Sequence, residues 1–250
     1  MRPTLARVGR LVFALASLLT ACAQSDSAVT RVKFCVVTDE VQPDGKVSIS
    51  CNVPTTKLAI PSKLISSMDT SKPYVTSVIL NMQMTKTHIL DWSKIDEKEE
   101  KLTSDMFTLY ATWFEGRRNQ YLDGFDAKSV KNNQYIELPS SQFKKFRQFD
   151  LPQCAEQTFE QPSVDTRPNL CNSKWQIFIP KERDDVFFTC WRPIRSELGH
   201  AIDRMCTSDA EIFPNLIVHY WLKRSALESG DWVEIDQRLR VFFQAMLVKE

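Results

Sequence analysis

Residues 174–191 read KWQIFIPKERDDVFFTCW, and this stretch decides the fold. Two runs rich in β-branched and aromatic residues, 174–179 and 186–191, flank the polar segment PKERDD. Apolar runs of this length on either side of a turn predict a pair of antiparallel strands. The apolar run LIVHYWL at 216–222 predicts a further strand in the centre of a sheet.

The C-terminal residues predict an amphipathic helix. Asp231 and Glu234 have the spacing of a capping box, in which the two side chains bind free amides at the start of a helix. Apolar residues then recur every three or four positions, at Trp232, Ile235, Leu239, Phe242, Phe243 and Met246. This period is typical of a helix that packs on a core through one face.

The N-terminal part of the chain shows the same hairpin pattern. Residues 31–38 and 46–53 flank a Pro-Asp-Gly turn, and they carry Cys35 and Cys51. Further strands are predicted at 74–82, 106–114 and 135–138, and further helices at 142–149 and 194–205. Both halves of the chain therefore open with a cysteine-bearing hairpin, which suggests two similar subdomains.

The predicted fold class is α+β, with antiparallel sheets, cysteine-bearing hairpins and a packed C-terminal amphipathic helix. A proline-rich connection that carries two cysteines separates the two halves. The predicted organisation is a signal peptide at 1–21, a lipidated tether at 22–30, an N-terminal α+β half at 31–150, a disulfide-closed connection at 151–172 and a C-terminal α+β half at 173–250.

The first 22 residues have the composition of an export signal. Three arginines precede the apolar run 11–19, which is too short to span a bilayer permanently. The residues Leu19-Thr20-Ala21-Cys22 that follow resemble the lipobox of bacterial lipoproteins. This resemblance implies that Cys22 is acylated, with palmitate among the acyl chains, and that the leader is cut just before it.

Acylation of Cys22 would anchor the chain to a membrane without a transmembrane helix. Ala23 follows the cysteine where an aspartate would favour the inner membrane, so the lipoprotein family implies an outer-membrane anchor with the domain facing the periplasm. An alternative stays open, because Ala21-Cys22-Ala23 is also an A-x-A cleavage site. A cut after Ala23 would remove the cysteine.

The six cysteines after Cys22 predict disulfides, since an even number in an exported chain is typical of disulfide bonding. Six cysteines can pair in several ways, and the sequence leaves the connectivity open. Sequential pairing would close three loops of similar length, with the candidate bonds Cys35–Cys51, Cys154–Cys171 and Cys190–Cys206. A metal site is disfavoured because the chain has no C-x-x-C pair.

Charge and motif content argue against several classes of function. The chain has 32 basic and 31 acidic side chains, and removal of the arginine-bearing leader leaves a slightly acidic protein that is unsuited to nucleic acid. The three histidines, His88, His200 and His219, lack metal-ligand spacing, and no serine lies in a G-x-S-x-G motif. The sequence therefore predicts no metal, no cofactor and no catalytic residue.

Four features follow one another in the C-terminal third: FFTCWRP at 187–193, Cys206, the strand at 216–222, and the tryptophan-led helix DWVEIDQRLRVFFQAML at 231–247. In this order they resemble the ends of small lipoproteins associated with bacterial type VI secretion. Many of those proteins are immunity proteins, which neutralise a toxic effector in the periplasm. The resemblance implies a non-enzymatic protein that binds a secreted toxin, and it assigns no residue to binding.

Two other functions stay open. A structural or envelope-assembly lipoprotein would bind another component of the cell envelope. A periplasmic hydrolase would need acidic side chains that converge on His200 or His219. His200 and Asp203 have helical spacing, and His219 lies in an apolar strand, where a structural histidine is more typical than a catalytic one.

Overall fold

The structure is a computed structural model. It describes residues 28–41, 47–85, 89–90, 101–123, 134–155, 175–192, 194–195, 201–202 and 205–249. Antiparallel β-strands predominate in these residues, and the largest helix is a small one near the C-terminus. The predicted α+β class is therefore wrong.

The described strands are β1 (Val29–Val41), β2 (Val47–Pro61), β3 (Ile65–Met68), β4 (Ser77–Asn81), β5 (Gln83–Met84), β6 (Ile89–Leu90), β7 (Thr103–Ala111), β8 (Ile136–Glu137), β9 (Phe146–Asp150), β10 (Trp175–Pro180), β11 (Val186–Trp191), β12 (Ile194–Arg195), β13 (Ala201–Ile202), β14 (Met205–Phe213) and β15 (Leu216–Lys223). The described helices are α1 (Phe114–Asp123), α2 (Ser225–Ser229) and α3 (Asp231–Ala245), with short 3-10 turns at Ser62–Leu64 and Pro152–Cys154. None of the helices in these ranges is long and apolar enough to cross a membrane.

A single nine-stranded antiparallel sheet joins strands from both parts of the described chain. Its order is β3-β4-β7-β15-β14-β11-β10-β9-β8. Strand β7 pairs with β15, and β9 pairs with β10, across the connection that was expected to divide the chain. The prediction of two similar subdomains is therefore wrong. Pairing between distant strands is set by tertiary packing, which a local sequence pattern does not report.

Two predicted helices contain strands where the structure describes them, for the same reason. In the predicted helix 142–149, Phe143 and Phe146 enter the main core, whereas Phe149 packs on the opposite face of the sheet. Phe143 lies in the turn before β9, and a strand that is covered on both sides accepts both Phe146 and Phe149, so the three residues imitate a helical period. In the predicted helix 194–205, the strands β12 and β13 pair with each other, and β14 begins at Met205.

The main core lies between one face of the sheet, here called the inner face, and the covering elements α3 and the β1–β2 hairpin. Trp232 of α3 packs edge-on against Phe188 of β11, with ring centroids 5.2 Å apart. Phe34 and Leu58 of the hairpin are fully buried in the same cluster. The helical period predicted for α3 is confirmed by its buried residues, which include Trp232, Ile235, Leu239 and Phe243.

The predicted capping box is wrong, because the chain starts α3 directly after α2. Gly230 stands between the two helices with φ 88°, in the left-handed region that favours glycine. This shifts Asp231 into the first turn, where its backbone N–H donates to Oγ of Ser229 at 3.3 Å and its negative charge suits the helix dipole. Glu234 instead forms an ion pair with Arg238, one turn further on.

Disulfides cross-link neighbouring strands at two places in the described chain. Cys35–Cys51 spans the β1–β2 hairpin beside two register shifts, and Cys190–Cys206 joins directly paired residues of β11 and β14. These are two of the three candidate bonds. Cys154 is also disulfide-bonded. Its predicted partner Cys171, like the lipidation candidate Cys22, lies outside the described residues.

Replacement of Gly230 by alanine should lower the free energy of unfolding by about 1 kcal/mol or more, because a Cβ atom is unfavourable at positive φ. Gly116→Ala is the matched control. Its Cβ would lie 3.7 Å from the Cβ of Trp113, an ordinary contact, and alanine is the better helix former in α1. Urea denaturation of both variants checks this. Equal losses in the two variants would contradict the assigned role of Gly230.

Candidate functional site

The second face of the sheet, here called the outer face, is defined by the pairing register. His219, Trp221 and Lys223 alternate along β15 with side chains of the main core, so all three belong to the outer face. Their partners on β14 are Asp209, Thr207 and Met205, in that order. Trp191 of β11 pairs with Trp175 of β10, so these two side chains extend the outer-face row from β14 towards the edge of the sheet.

Helix α1 covers only part of the outer face. Phe114 and Tyr121 of α1 pack against Phe187 of β11, with ring centroids 5.7 and 5.3 Å apart. The same small cluster contains Ile177, Ile179 and Ile217 of the sheet. Trp221 and Trp191 lie at the other end of these strands, away from α1, and both side chains are half-buried.

Three tryptophans converge on this half-covered region. The ring centroids of Trp175 and Trp191 are 4.3 Å apart, and those of Trp175 and Trp221 are 6.4 Å apart. Together with the half-buried Met205 they form what is called below the tryptophan surface. Trp221 also meets the ring of His219 edge-on at 6.5 Å, so the aromatic row continues towards α1.

A disulfide lies directly beneath the tryptophan surface. Cys190 precedes Trp191, and Cys206 follows Met205, and both cysteines point into the main core on the inner face. The bond between them fixes the two strands that carry these outer-face side chains. The tryptophan surface is therefore built on strands held by both backbone hydrogen bonds and a covalent link.

A buried carboxylate marks the border between this surface and α1. Asp209, 1% exposed, accepts hydrogen bonds at Oδ1 from the hydroxyl of Tyr110 at 2.7 Å and from Nε of Arg117 at 3.1 Å. Nδ1 of His219 lies 3.1 Å from the same oxygen. Arg117 also places its guanidinium 4.3 Å from the ring centroid of Tyr110. The cluster joins α1 to three strands and compensates a charge that is costly to bury alone.

The electrostatics of this cluster oppose the effect of burial. Burial alone would raise the pKa of Asp209, but the hydrogen bond and charge of His219, the charge of Arg117 and the hydrogen bond from Tyr110 lower it below its ordinary value. Burial, followed by the charge of Asp209, raises the pKa of Tyr110. The carboxylate is therefore ionised at neutral pH, and the Tyr110 hydroxyl keeps its proton as a donor.

The arrangement resembles a His–Asp pair of a hydrolase only in part. A carboxylate that binds Nδ1 can orient a histidine as a general base. In the described residues, however, His219 has no hydrogen bond to a serine or cysteine, and no group of His, Cys, Asp or Glu side chains there has the arrangement of a metal site. The geometry suits a structural role, in which the Asp209 cluster holds α1 on the sheet and forms the polar border of the tryptophan surface.

The sequence located only one member of this cluster. His219 was expected to be a structural histidine in an apolar strand, and it lies in β15 beside Asp209. Asp209, Tyr110 and Arg117 were missed, because a cross-strand register cannot be read from single residues. Strand β14 reads MCTSDAEIF, so Asp209 is one of several polar residues in it, and the local sequence does not single it out as buried. His88 and His200 lie outside the described residues.

Replacement of Asp209 by asparagine should lower the free energy of unfolding at pH 7 by about 2 kcal/mol, because Arg117 and His219 lose their buried anion. Because the folded pKa of Asp209 is depressed, its contribution is present above an unfolded pKa of about 3.9 and is lost as the pH falls through the lower folded value. Urea denaturation at several pH values should therefore show a weaker acid dependence in this variant.

Glu137→Gln is the matched control for this experiment. Glu137 also has a lowered pKa, chiefly because its side chain accepts a hydrogen bond from Arg147, but the pair is exposed and should contribute at most about 0.5 kcal/mol. A loss as large as that of Asp209→Asn, or an unchanged acid profile in Asp209→Asn, would contradict the role assigned to the buried cluster.

Comparison with known proteins gives one faint likeness. No protein-family model and no curated protein matches the chain. A solved structure of an immunity protein of the Stenotrophomonas maltophilia type IV secretion system is similar, with 13% identity and a TM-score of 0.46. The match covers 87% of this chain and 95% of that chain. At this TM-score the likeness does not establish a common fold, and no function is transferred from it.

Proposed function

We propose that this protein is a non-enzymatic lipoprotein of the bacterial cell envelope that binds a protein partner through the tryptophan surface. We further propose that the partner is a secreted toxic effector, which makes the protein an immunity protein that acts in the periplasm. The observation that supports binding is the convergence of Trp175, Trp191 and Trp221 on a half-covered sheet face. Tryptophan and methionine are enriched at the centres of protein interfaces.

The scaffold lowers the ordering cost of such binding. Trp191 and Met205 stand on the two strands that Cys190–Cys206 joins, and Trp221 stands on β15, which has paired neighbours on both sides. Side chains on a fixed sheet lose little further freedom when a partner covers them, so more of the interaction energy appears as affinity. This is the behaviour expected of a tight inhibitor.

The proposal names the role and leaves the delivery system open. The resemblance of residues 187–247 is to lipoproteins associated with type VI secretion, and it assigns no residue to a particular effector. Acylation at Cys22 would hold the protein at the membrane that faces an incoming toxin. The proposed immunity role also implies that the gene next to this one encodes a secreted toxin.

Replacement of Trp175 or Trp221 by alanine should weaken binding of the toxin encoded next to this gene by about 30-fold each, the effect of losing roughly 2 kcal/mol at an interface centre. Cells that carry these variants should also lose protection from the toxin. Isothermal titration calorimetry and a survival assay measure the two effects, and circular dichroism shows whether the variants are folded.

Trp113→Ala is the matched control, because Trp113 is 50% exposed but lies by the turn at the other end of β7 and β15. It should bind and protect like the native protein. If the native protein does not bind the toxin, the proposed function is wrong. Normal binding by the Trp175 and Trp221 variants would show that the partner uses another surface.

Replacement of Cys22 by serine should abolish acyl labelling, because the hydroxyl does not substitute for the thiol that is acylated in lipoproteins. The product should be unprocessed precursor or a soluble periplasmic protein. Metabolic labelling with a palmitate analogue and membrane fractionation measure this. Membrane attachment without acyl label in the serine variant would contradict the lipid anchor.

A further inference from the structure

Trp175 and Trp191 stand at the end of their strand pair. They are the last pair of the β10–β11 ladder in the described residues. The end of a ladder opens more readily than its centre, because fewer contacts have to break together. Contacts outside the ladder therefore decide how firmly this half of the tryptophan surface is held.

Arg224 supplies such contacts from the inner face, where its side chain is buried. Nη1 donates to the backbone carbonyl of Trp191 at 3.1 Å. Nη2 donates at 3.2 Å to the side-chain carbonyl of Gln176, the residue that follows Trp175 in β10. One guanidinium therefore binds both strands directly beside the two tryptophans.

The orientation of this guanidinium is fixed by further contacts. Its central carbon lies 5.3 Å from the ring centroid of Phe143 and 5.4 Å from that of Phe178, two rings of the main core. Nη2 also donates to Oε1 of Gln142 at 2.8 Å. A lysine ammonium has no planar fork, so it does not reproduce this set of contacts.

A buried ion pair supports the same two strands. Arg192, which follows Trp191, binds Oδ1 of Asp150 through Nη2. Nε2 of Gln176 donates to Oδ2 of that carboxylate at 3.1 Å. Because Gln176 also binds Arg224, this polar network is connected to the end of β15, the strand that carries the third tryptophan.

We infer that Arg224 is a positioning residue for the tryptophan surface, which holds Trp175 and Trp191 beside Trp221 in the arrangement that the partner binds. The effect on affinity rests on the proposed function, whereas the effect on the indole rings is a property of the free protein. A partner that meets ordered rings spends less free energy on fixing them. A loosened pair therefore binds more weakly, although every tryptophan is still present.

The test on the free protein uses Arg224→Lys, which keeps the charge and removes the fork. The rings of Trp175 and Trp191 are close enough to couple their electronic transitions, which gives an exciton couplet in far-ultraviolet circular dichroism. The difference between the native protein and Trp175→Ala identifies this couplet. Arg224→Lys should lose most of it, while urea denaturation shows that the variant is folded.

Gln142→Ala is the milder variant, because it removes one acceptor of Arg224 at an exposed position. It should reduce the couplet and the affinity by smaller amounts than Arg224→Lys. If Arg224→Lys does not fold, a native couplet and a native affinity in Gln142→Ala overturn the inference.

The test on binding is isothermal titration calorimetry with the toxin encoded next to this gene. Arg224→Lys should bind about tenfold more weakly than the native protein. Arg240→Lys is the matched control, since Arg240 also donates to a backbone carbonyl, that of Glu211 at 2.8 Å, and binds carboxylates, but on α3. It should keep the native couplet and the native affinity.

The outcomes separate this inference from the proposed function. If the toxin binds and Trp175→Ala weakens it, a native couplet or a native affinity in folded Arg224→Lys overturns the inference, and the proposed function stands. Equal losses in Arg240→Lys overturn it as well, because they would show a general loss of stability. If the native protein does not bind the toxin, the proposed function and the role in binding both fail, and the couplet alone shows whether Arg224 orients the pair.

Discussion

Helix α3 packs across the inner face of the nine-stranded sheet, and this contact determines which surface remains for a partner. Trp232 meets Phe188 and Phe146 of the sheet, and the buried carboxylate of Asp236 binds Arg183 and Arg240. Arg183 belongs to the β10–β11 turn, so the ion pairs bind the helix to the sheet margin as well as to its centre. With the inner face filled, the half-covered tryptophan cluster seen in the described residues is on the outer face.

The two ends of the outer face differ in how completely they are covered. At one end α1 closes over Phe187, and Asp209 binds Arg117 and His219 beneath it. At the other end the tryptophan surface remains half-buried, while Cys190–Cys206 fixes its strands from the opposite side. A rigid support under a partly exposed aromatic cluster is what pre-organised recognition requires.

Local sequence patterns predicted those elements whose neighbours lie close in the chain. The hairpin at 174–191, the strand at 216–222 and the C-terminal helix occur where the periodicity placed them. The errors lie where distant packing overrides the local period. Phe143, Phe146 and Phe149 imitate a helical stripe, but they enter cores on both sides of the sheet. A left-handed glycine between two helices displaced the expected capping box.

The candidate site was less predictable than the fold, because it depends on register. The three tryptophans were recognisable only as strand residues, since their meeting on one face requires the order of β10, β11, β14 and β15. Likewise, His219 was visible in the sequence, whereas its partner Asp209 is its direct neighbour only in the paired strands. A single residue has a strand propensity, but only the paired strands determine which side chains share one face of the sheet.

The most direct measurement is a crystal structure of the complex with the toxin encoded next to this gene. The account predicts that the indole rings of Trp175, Trp191 and Trp221 are buried in the interface, with α3 left outside it. A toxin seated on α3 or on the β1–β2 hairpin, with the tryptophan surface still open to solvent, would contradict it.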